Sequence, residues 1–134
     1  MRIWSNRGLS GIDGTIATAT GVALTEPDMQ VRALMGDLTF LHDVGSLAID
    51  PLDVDINLQL IVVNDNGGKI FRNLEVGKSV EEGMFRRIFQ TPQTASIAKL
   101  ADSYGWKYVN AADTNEFASA LNLSGRVVIE VNLD

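Results

Sequence analysis

The sequence predicts an α/β domain in which helices pack on a mainly parallel sheet. Three short apolar runs rich in β-branched residues, at residues 31–35, 58–63 and 127–131, are typical of strands buried on both faces. Segments with helical patterns lie between these runs, and strands that alternate with helices favour a parallel sheet with right-handed crossovers. Because 134 residues with 46% hydrophobic content can bury one ordinary core, we expect a single domain over residues 1–134.

The remaining elements follow from local patterns. Residues 106–109 predict a shorter strand, and residues 3–5 predict the stub of another strand at the chain start. Small apolar residues in the first helical segment indicate a helix that packs closely on the sheet. The second and third segments have apolar residues at helical spacing, and the third ends at Gly105. The four expected helices cover residues 14–24, 81–89, 97–104 and 115–121.

Composition excludes several classes of function. The net charge of −6 has the wrong sign for a protein that neutralises a phosphate backbone, so we expect no nucleic-acid partner. No run approaches the ~18 apolar residues of a membrane span, and no apolar run follows the first residues as in a signal peptide. With no cysteine and only His42, disulfides, thiolate nucleophiles and histidine metal clusters are excluded, and we expect a cytoplasmic protein.

A first candidate site follows the strand at residues 31–35. Gly36 allows the backbone to approach an anion closely, and Asp37 supplies a hard carboxylate oxygen. Leu38 and Thr39 offer free N–H groups at the start of a helix, where anions bind. In open α/β sheets ligands bind beyond the carboxyl ends of strands, so this pattern indicates a site for phosphate and magnesium.

A second group follows the strand at residues 58–63. Asp65, Asn66 and the carbonyl of Gly67 could complete an oxygen-only magnesium shell together with phosphate and water. Each group also has an ordinary explanation, because Gly-Asp is often a plain turn and Asn-Gly often marks a hairpin. The hairpin interpretation is the weaker one, since residues 68–73 do not continue as an alternating strand.

Three motifs in this order resemble the carboxyl-terminal region of a known family. They are Ser-Asn-Arg-Gly-Leu-Ser-Gly-Ile-Asp-Gly at residues 5–14, Gly-Asp-Leu-Thr-Phe-Leu-His-Asp at 36–43 and Asn-Asp-Asn-Gly-Gly-Lys-Ile-Phe at 64–71. Residues 89–92 and 128–131 also fit, so the resemblance covers essentially the whole chain. The family is MenD, the thiamine-diphosphate-dependent synthases of menaquinone biosynthesis.

The resemblance implies a three-layer α/β sandwich that binds thiamine diphosphate and Mg²⁺, with Mn²⁺ as an alternative ion. It implies an enzyme that decarboxylates 2-oxoglutarate and adds the remaining four-carbon unit to isochorismate. The pyrimidine-binding and central domains of the family have no counterpart in these 134 residues. The resemblance therefore also implies a missing partner domain, a homo-oligomer and a chain that is inactive in isolation.

The resemblance also assigns cofactor and metal roles. Asp37, Asp65 and the carbonyl of Gly67 align with the magnesium ligands of the family. Asp65 stands where the wider superfamily usually has asparagine, so it adds a negative charge to the metal shell. Ile12 resembles the apolar residue that bends the cofactor into a V, with simple core packing as the alternative. The expected cofactor-binding residues are Ile12, Gly36, Leu38, Thr39 and Asn66.

Three further residues are expected at the substrates. Arg7 matches a family arginine that engages a substrate carboxylate, and an exposed surface arginine is the alternative. Ile70 and Phe71 are expected to form an apolar wall of the pocket, with core packing as the alternative.

Two other functions stay open from the sequence. One is a different thiamine-diphosphate enzyme, such as a 2-oxo acid decarboxylase or an acetolactate-type synthase. The other is a non-enzymatic, magnesium-binding module of the receiver type. A receiver needs a lysine across the sheet from its phosphorylated aspartate, and Lys69 lies in the wrong loop.

Overall fold

The structure is a computed structural model that describes residues 2–6 and 11–133. Within these residues the strands are β1 (Val31–Gly36), β2 (Leu58–Asn64), β3 (Lys107–Asn110) and β4 (Val127–Asn132). They form one parallel sheet in the order β1-β2-β4-β3. The carboxyl ends of parallel strands lie at the same edge, so residues that follow β1 and β2 are brought together there. The predicted parallel sheet is confirmed.

Helices and shorter helical turns connect these strands. The predicted helices over residues 14–24, 97–104 and 115–121 are confirmed, and Gly105 ends the second of them with a φ of 73°. No helix in the described part of the chain is long and apolar enough to cross a membrane. The α-helices are α1 (Thr15–Thr25), α2 (Asp37–His42), α3 (Val76–Ser79), α4 (Glu82–Phe85), α5 (Ile97–Ser103) and α6 (Thr114–Ala120), with 3-10 turns at Val44–Leu47 and Lys69–Asn73 and a π-helical turn at Arg86–Gln90.

The two faces of the sheet are covered unequally. On one face α1, α2 and α5 enclose the larger core, to which they contribute buried residues such as Ile16, Phe40 and Ala101. On the other face the buried cluster includes Ala120 of α6. Because side chains alternate along a strand, Leu34 of β1 belongs to this second face, where it is 71% exposed. The α/β sandwich is therefore confirmed, with thinner cover beside β1.

The helix expected over residues 81–89 is wrong in detail. The chain forms α4 for only four residues and then widens into the π-helical turn at Arg86–Gln90. Phe85 is buried and stacks on Phe89 with ring centroids 5.8 Å apart, whereas Met84 and Ile88 are 53% and 56% exposed. Among the apolar side chains of this segment, only the rings of Phe85 and Phe89 face the interior. The apolar face expected over residues 81–89 is therefore divided between the core and the surface.

The expected strand stub at residues 3–5 is also wrong, because residues 2–6 have no regular secondary structure. The short strand expected at residues 106–109 begins one residue later, at Lys107. Trp106 instead lies buried ahead of it, and its indole N–H donates to the carbonyl of Leu47 at 2.9 Å. An aromatic residue beside a strand thus serves the core rather than the sheet.

Candidate functional site

The carboxyl ends of β1 and β2 bring together the two groups of residues that the sequence singles out. The Gly67 amide donates to Asp37 Oδ2 at 2.7 Å, although the two residues lie 30 positions apart in the chain. Asp37 begins α2 directly after β1 and is only 4% exposed. The loop after β2 therefore closes over a buried carboxylate at the edge of the sheet.

The loop has a backbone shape that few residues can adopt. Asn66 and Gly67 have positive φ values of 63° and 109°. A Cβ on Gly67 would overlap with the backbone carbonyl of Gln90, so glycine is required both for its φ and for the close approach. Asn64 Oδ1 accepts a hydrogen bond from the Asn66 amide at 3.0 Å and holds the turn locally.

Two carboxylates in this site are near enough to interact electrostatically. Burial raises the pKa of the Asp37 carboxyl above its ordinary value, and the negative charge of Asp65 adds to this, whereas the Gly67 amide opposes it. Among the described residues neither carboxylate takes part in a salt bridge. A cation placed between them would lower both the free-energy cost of burying a charged carboxylate and the repulsion between the two negative charges. The pair therefore fits a positively charged ligand.

The donor set favours a hard divalent cation. The part of the chain that the structure describes holds no group of three or more His, Asp or Glu side chains that could bind a metal by themselves. Two carboxylates, the Asn66 amide oxygen and the Gly67 carbonyl are available instead. The Gly67 carbonyl already accepts from the Lys69 amide at 2.9 Å, and its second lone pair is free for a metal. Such oxygen ligands fit Mg²⁺, which normally completes its shell with water and phosphate oxygens.

A cavity of about 280 Å³ opens beside this loop. It lies between α2, the chain that leads into α5, and the last residues of β2 and β4. Its lining is Asp37, Leu41, Asn64, Asn66, Gln93, Ala95, Ile97, Asn132 and Leu133. Polar side chains dominate, as expected of a site for a charged group.

The other predicted cofactor residues lie around the start of α2. Gly36 precedes the helix, whose first amides receive no side-chain cap. Ile12 is 39% exposed and, together with Thr39, lines a second groove of about 690 Å³ beside α1 and β1. Leu38 is half-buried. In the chain it lies between Asp37, which lines the cavity, and Thr39, which lines the groove. Of the residues predicted to bind the cofactor, Ile12 and Thr39 thus line the groove and Asn66 lines the cavity, whereas Gly36 and Leu38 line neither.

Two of the predicted substrate residues, Ile70 and Phe71, do not enter either opening. Ile70 and Phe71 lie in the 3-10 turn after the loop, where they are 73% and 40% exposed, and Phe71 packs against the ring of Phe89. Neither residue lines the cavity or the groove. Arg7 lies outside the described residues. The roles predicted for these three residues stay predictions.

Sequence reasoning missed residues that hold the site from a distance. The backbone carbonyl of Gln90 accepts from the Gly68 amide at 2.7 Å, and its side-chain Nε2 donates to the Asn66 carbonyl at 3.3 Å. Asp43 Oδ2 accepts from the amides of Ile16 and Ala17 at 2.6 and 3.0 Å and so caps α1. For Gln90, its place as the second residue of the Phe-x-Thr-Pro motif is the one sequence signal that could have indicated its role.

Comparison with known proteins identifies the class to which this fold and site belong. Residues 1–131 match the family described as "Thiamine pyrophosphate enzyme, C-terminal TPP binding domain". The match spans nearly all of the chain, and the chain belongs to this family. The receiver-type alternative is thereby excluded, and the resemblance found in the sequence is confirmed.

Individual relatives sharpen this classification. The 2-succinyl-5-enolpyruvyl-6-hydroxy-3-cyclohexene-1-carboxylate synthase of Paenarthrobacter aurescens is 43% identical over 98% of this chain and 24% of its own length. The synthases of the same name from Clavibacter michiganensis and an Arthrobacter species are 42% and 44% identical. The chain spans about a quarter of the length of these curated relatives.

A solved structure supports the fold. The thiamine diphosphate-dependent 4-hydroxybenzoylformate decarboxylase of Rhodococcus jostii superposes with a TM-score of 0.70 over 90% of this chain and 23% of its own. At 22% sequence identity this likeness concerns the fold alone.

Proposed function

We propose that this chain is the diphosphate-binding part of a thiamine-diphosphate-dependent synthase that decarboxylates 2-oxoglutarate and adds the four-carbon unit to isochorismate. The observation that carries the proposal is the identity of 42–44% with synthases of one name over nearly the whole chain. The cofactor supplies the electron sink for loss of carbon dioxide, so the protein has to bind, orient and shield. The decarboxylase of Rhodococcus jostii shares the fold at only 22% identity, which favours the synthase over the decarboxylase alternative.

The metal-binding role falls to the loop after β2 and the start of α2. Asp37, Asp65 and the Gly67 carbonyl would hold Mg²⁺, with Mn²⁺ as a substitute of the same ligand preference. The buried carboxylate of Asp37 and its repulsion by the charge of Asp65 support this role. By neutralising the diphosphate, the ion lets an anionic group lie beside two acidic residues.

The cofactor's organic part is proposed to occupy the groove that Ile12 and Thr39 line. Ile12 is exposed there and could press against a ring, while the amides of Leu38 and Thr39 and the backbone at Gly36 would be available to phosphate oxygens. Asn66, whose amide donates to Asn64 Oδ1, belongs to the turn that would lie beside the metal. In this placement the chain would hold the diphosphate and touch only one side of the organic part, so the rest of the cofactor is left to a partner domain.

A second domain and further subunits are proposed to complete the enzyme. Several apolar side chains after the loop are more than half exposed, which supports cover by another protein surface. These are Ile70, Leu74, Met84 and Ile88. We propose that a pyrimidine-binding domain, contributed within a homo-oligomer in the cytoplasm, covers this surface, and that Ile70 and Phe71 reach the substrates only in that assembly.

The metal role is tested by Asp37→Ala in the enzyme that contains this chain. We expect Mg²⁺-dependent binding of thiamine diphosphate, measured by titration calorimetry, to weaken by more than about 100-fold. Asp53→Ala is the matched control, because it removes an exposed aspartate outside the site. An Asp37→Ala variant with the affinity of the control would refute the metal site.

The activity is tested by product analysis with 2-oxoglutarate and isochorismate as the only substrates. Release of carbon dioxide with formation of the joined product supports the proposal, whereas carbon dioxide with free aldehyde indicates a decarboxylase. For Arg7, Arg7→Ala should raise KM for a dicarboxylate substrate with little change in cofactor affinity, since a bidentate ion pair is lost. The reverse pattern would make Arg7 structural.

The need for a partner domain is tested with the 134-residue chain itself. Calorimetry with thiamine diphosphate and Mg²⁺ should show weak binding, because only one half of the cofactor finds a surface while its ordering cost is unchanged. Light scattering should show self-association through the exposed apolar residues. Tight binding by a monomer would contradict the partner domain.

A further inference from the structure

A buried carboxylate lies behind the metal loop and has no place in the proposed function. Glu130 of β4 is 7% exposed. Its Oε1 accepts from Asn64 Nδ2 and its Oε2 accepts from the Tyr108 hydroxyl, both at 2.6 Å. Among the described residues Glu130 forms no salt bridge. A buried carboxylate held only by neutral donors is costly, and apolar neighbours such as Val128 show that this strand readily carries apolar side chains.

The two hydrogen bonds of Asn64 explain why a carboxylate stands there. A carboxylate only accepts, so Asn64 must turn its NH₂ group toward Glu130. Its carbonyl oxygen then faces the opposite way and accepts from the Asn66 amide at 3.0 Å. Asn66 has a φ of 63°, a left-handed conformation that a residue with a side chain adopts at a cost. Glu130 thus fixes the amide orientation that supports this turn.

The turn leads directly to the metal site. The residue after Asn66 is Gly67, whose amide donates to Asp37 Oδ2 at 2.7 Å. Tyr108, Glu130, Asn64 and the backbone of residues 66–67 therefore form a continuous series of hydrogen bonds that ends at Asp37. We propose that Glu130 is a positioning residue for the metal and diphosphate loop, acting through the side-chain amide of Asn64. This inference rests on the proposed function of that loop.

The test compares four variants of the enzyme that contains this chain. Glu130→Leu removes the acceptor, whereas Glu130→Gln keeps one oxygen for Asn64 and can donate its NH₂ to the Tyr108 hydroxyl oxygen. Asn64→Ala removes the same link from its other side. Gln59→Leu is the matched control, because Gln59 is a fully buried polar residue of the adjacent strand that bonds to α6 and not to the loop.

Two measurements separate positioning from stability. The first is the Mg²⁺ concentration that half-saturates binding of thiamine diphosphate, and the second is hydrogen exchange of the Asn66 and Gly67 amides in the metal-free protein. We expect Glu130→Leu and Asn64→Ala to raise the Mg²⁺ requirement about 10- to 100-fold and to speed this exchange. Glu130→Gln should stay within about threefold of the wild type, and the double variant Glu130→Leu/Asn64→Ala should be no worse than Asn64→Ala.

Specific results would overturn the inference. If Glu130→Leu loses stability but keeps the Mg²⁺ requirement of Gln59→Leu, Glu130 is a core residue only. If Glu130→Gln is as impaired as Glu130→Leu, the charge and not the amide orientation matters. Should Glu130→Leu fail to fold, Asn64→Ala with normal exchange and normal Mg²⁺ requirement would refute the link. Failure of the proposed function itself is distinguishable, because Asp37→Ala would then leave Mg²⁺-dependent binding unchanged.

Discussion

Gln59 and Glu130 are both polar, both buried and located on neighbouring strands. Gln59 lies at the amino-terminal edge of the sheet, where the strands begin, whereas Glu130 lies toward the carboxyl edge, where they end. Gln59, at the start of β2, donates its NH₂ group toward three backbone carbonyls at the end of α6, of which Leu123 is nearest at 2.7 Å. Its oxygen accepts from Arg32 Nε at 2.8 Å. The carboxylate of Glu130, near the end of β4, accepts only from side chains within the described part of the chain.

The difference between these partners separates stability from function. Backbone carbonyls at the end of a helix need donors, and Gln59 supplies one to the Leu123 carbonyl while adding to the donors of Ala120 and Leu121. The side chains that donate to Glu130, those of Asn64 and Tyr108, can rotate about their own bonds. Asn64 in turn holds the loop at Asn66 in a backbone conformation of higher energy. We therefore expect changes at the amino-terminal edge to alter the free energy of unfolding, and changes at the carboxyl edge to alter metal and cofactor binding.

The largest effect is expected from a methyl group on the loop glycine. Gly67→Ala combines a φ of 109° with overlap against the Gln90 carbonyl, so we expect the loop to lose about 3 kcal/mol and Mg²⁺-dependent binding to disappear. Gly125→Ala, at the amino-terminal edge, is the control, because its φ is 83° but no atom lies within 4 Å of the added Cβ. It should cost about 1 kcal/mol in urea denaturation and leave binding unchanged. Equal binding by both variants would contradict the comparison.

The second effect concerns stability alone. Gln59→Leu removes the Gln59 donor from the Leu123 carbonyl and the Gln59 acceptor from Arg32 Nε, which should lower the free energy of unfolding by about 2 kcal/mol. Gln59→Glu should be worse, since a carboxylate would face three carbonyl oxygens. Urea denaturation measures both variants. A Gln59→Glu variant more stable than Gln59→Leu would show that Arg32, and not the helix end, determines this site.

Much of the fold and part of the site could be predicted because the signals are local. Apolar runs locate β1, β2 and β4; β2 and β4 are covered on both faces and are therefore mostly apolar, whereas β1 leaves Leu34 exposed on one face. Once the strands are parallel, the residues that follow β1 and β2 must meet at one edge. The juxtaposition of Asp37 with Gly67 follows from this rule alone.

The missed features depend on register and on tertiary packing. Glu130 meets Asn64, 66 positions earlier, only because β4 lies beside β2 with Val62 opposite Glu130. No local pattern contains that pairing. Helical spacing at residues 81–89 likewise could not reveal the π-helical turn, because the same apolar residues suit a regular helix.

The third prediction returns to the carboxyl edge through Tyr108. Burial raises the pKa of the Tyr108 hydroxyl above its ordinary value of 10.0, and the hydrogen bond to Glu130 raises it further. The folded state therefore favours the neutral phenol, and this stabilisation is complete below pH 10 and is lost as the pH rises through the folded-state pKa. Tyr108→Phe should cost about 1.5 kcal/mol at neutral pH.

Tyr108→Phe should also remove the part of the stability loss at alkaline pH that comes from ionisation of the Tyr108 hydroxyl. Urea midpoints at about pH 7, about pH 9 and about pH 11 would measure it, because this series spans the ordinary pKa of tyrosine. Tyr104→Phe is the control, since Tyr104 packs against the core on the same face of the sheet. If Tyr108→Phe and the wild type lose stability equally above pH 10, the folded state does not hold the phenol in its neutral form.

The smallest effect concerns the cap of α1. Gly14 precedes this helix and provides no side-chain cap, and the role is taken by Asp43, whose Oδ2 accepts from the Ile16 and Ala17 amides. Asp113 caps α6 in the same way but from the adjacent position in the chain. Asp43→Ala and Asp113→Ala should each cost about 1 kcal/mol in urea denaturation.

Only the first of these two variants should also weaken binding of thiamine diphosphate. The start of α1 carries Thr15, which lines the same groove as Ile12, so a loosened first turn shifts the wall against which the cofactor is proposed to lie. Asp43→Asn keeps an acceptor oxygen without the charge, and it should retain most of the affinity. Calorimetric titration of the three variants separates the two roles. Equal affinity in Asp43→Ala and Asp113→Ala would mean that the cap supports only the helix and that the groove does not depend on it.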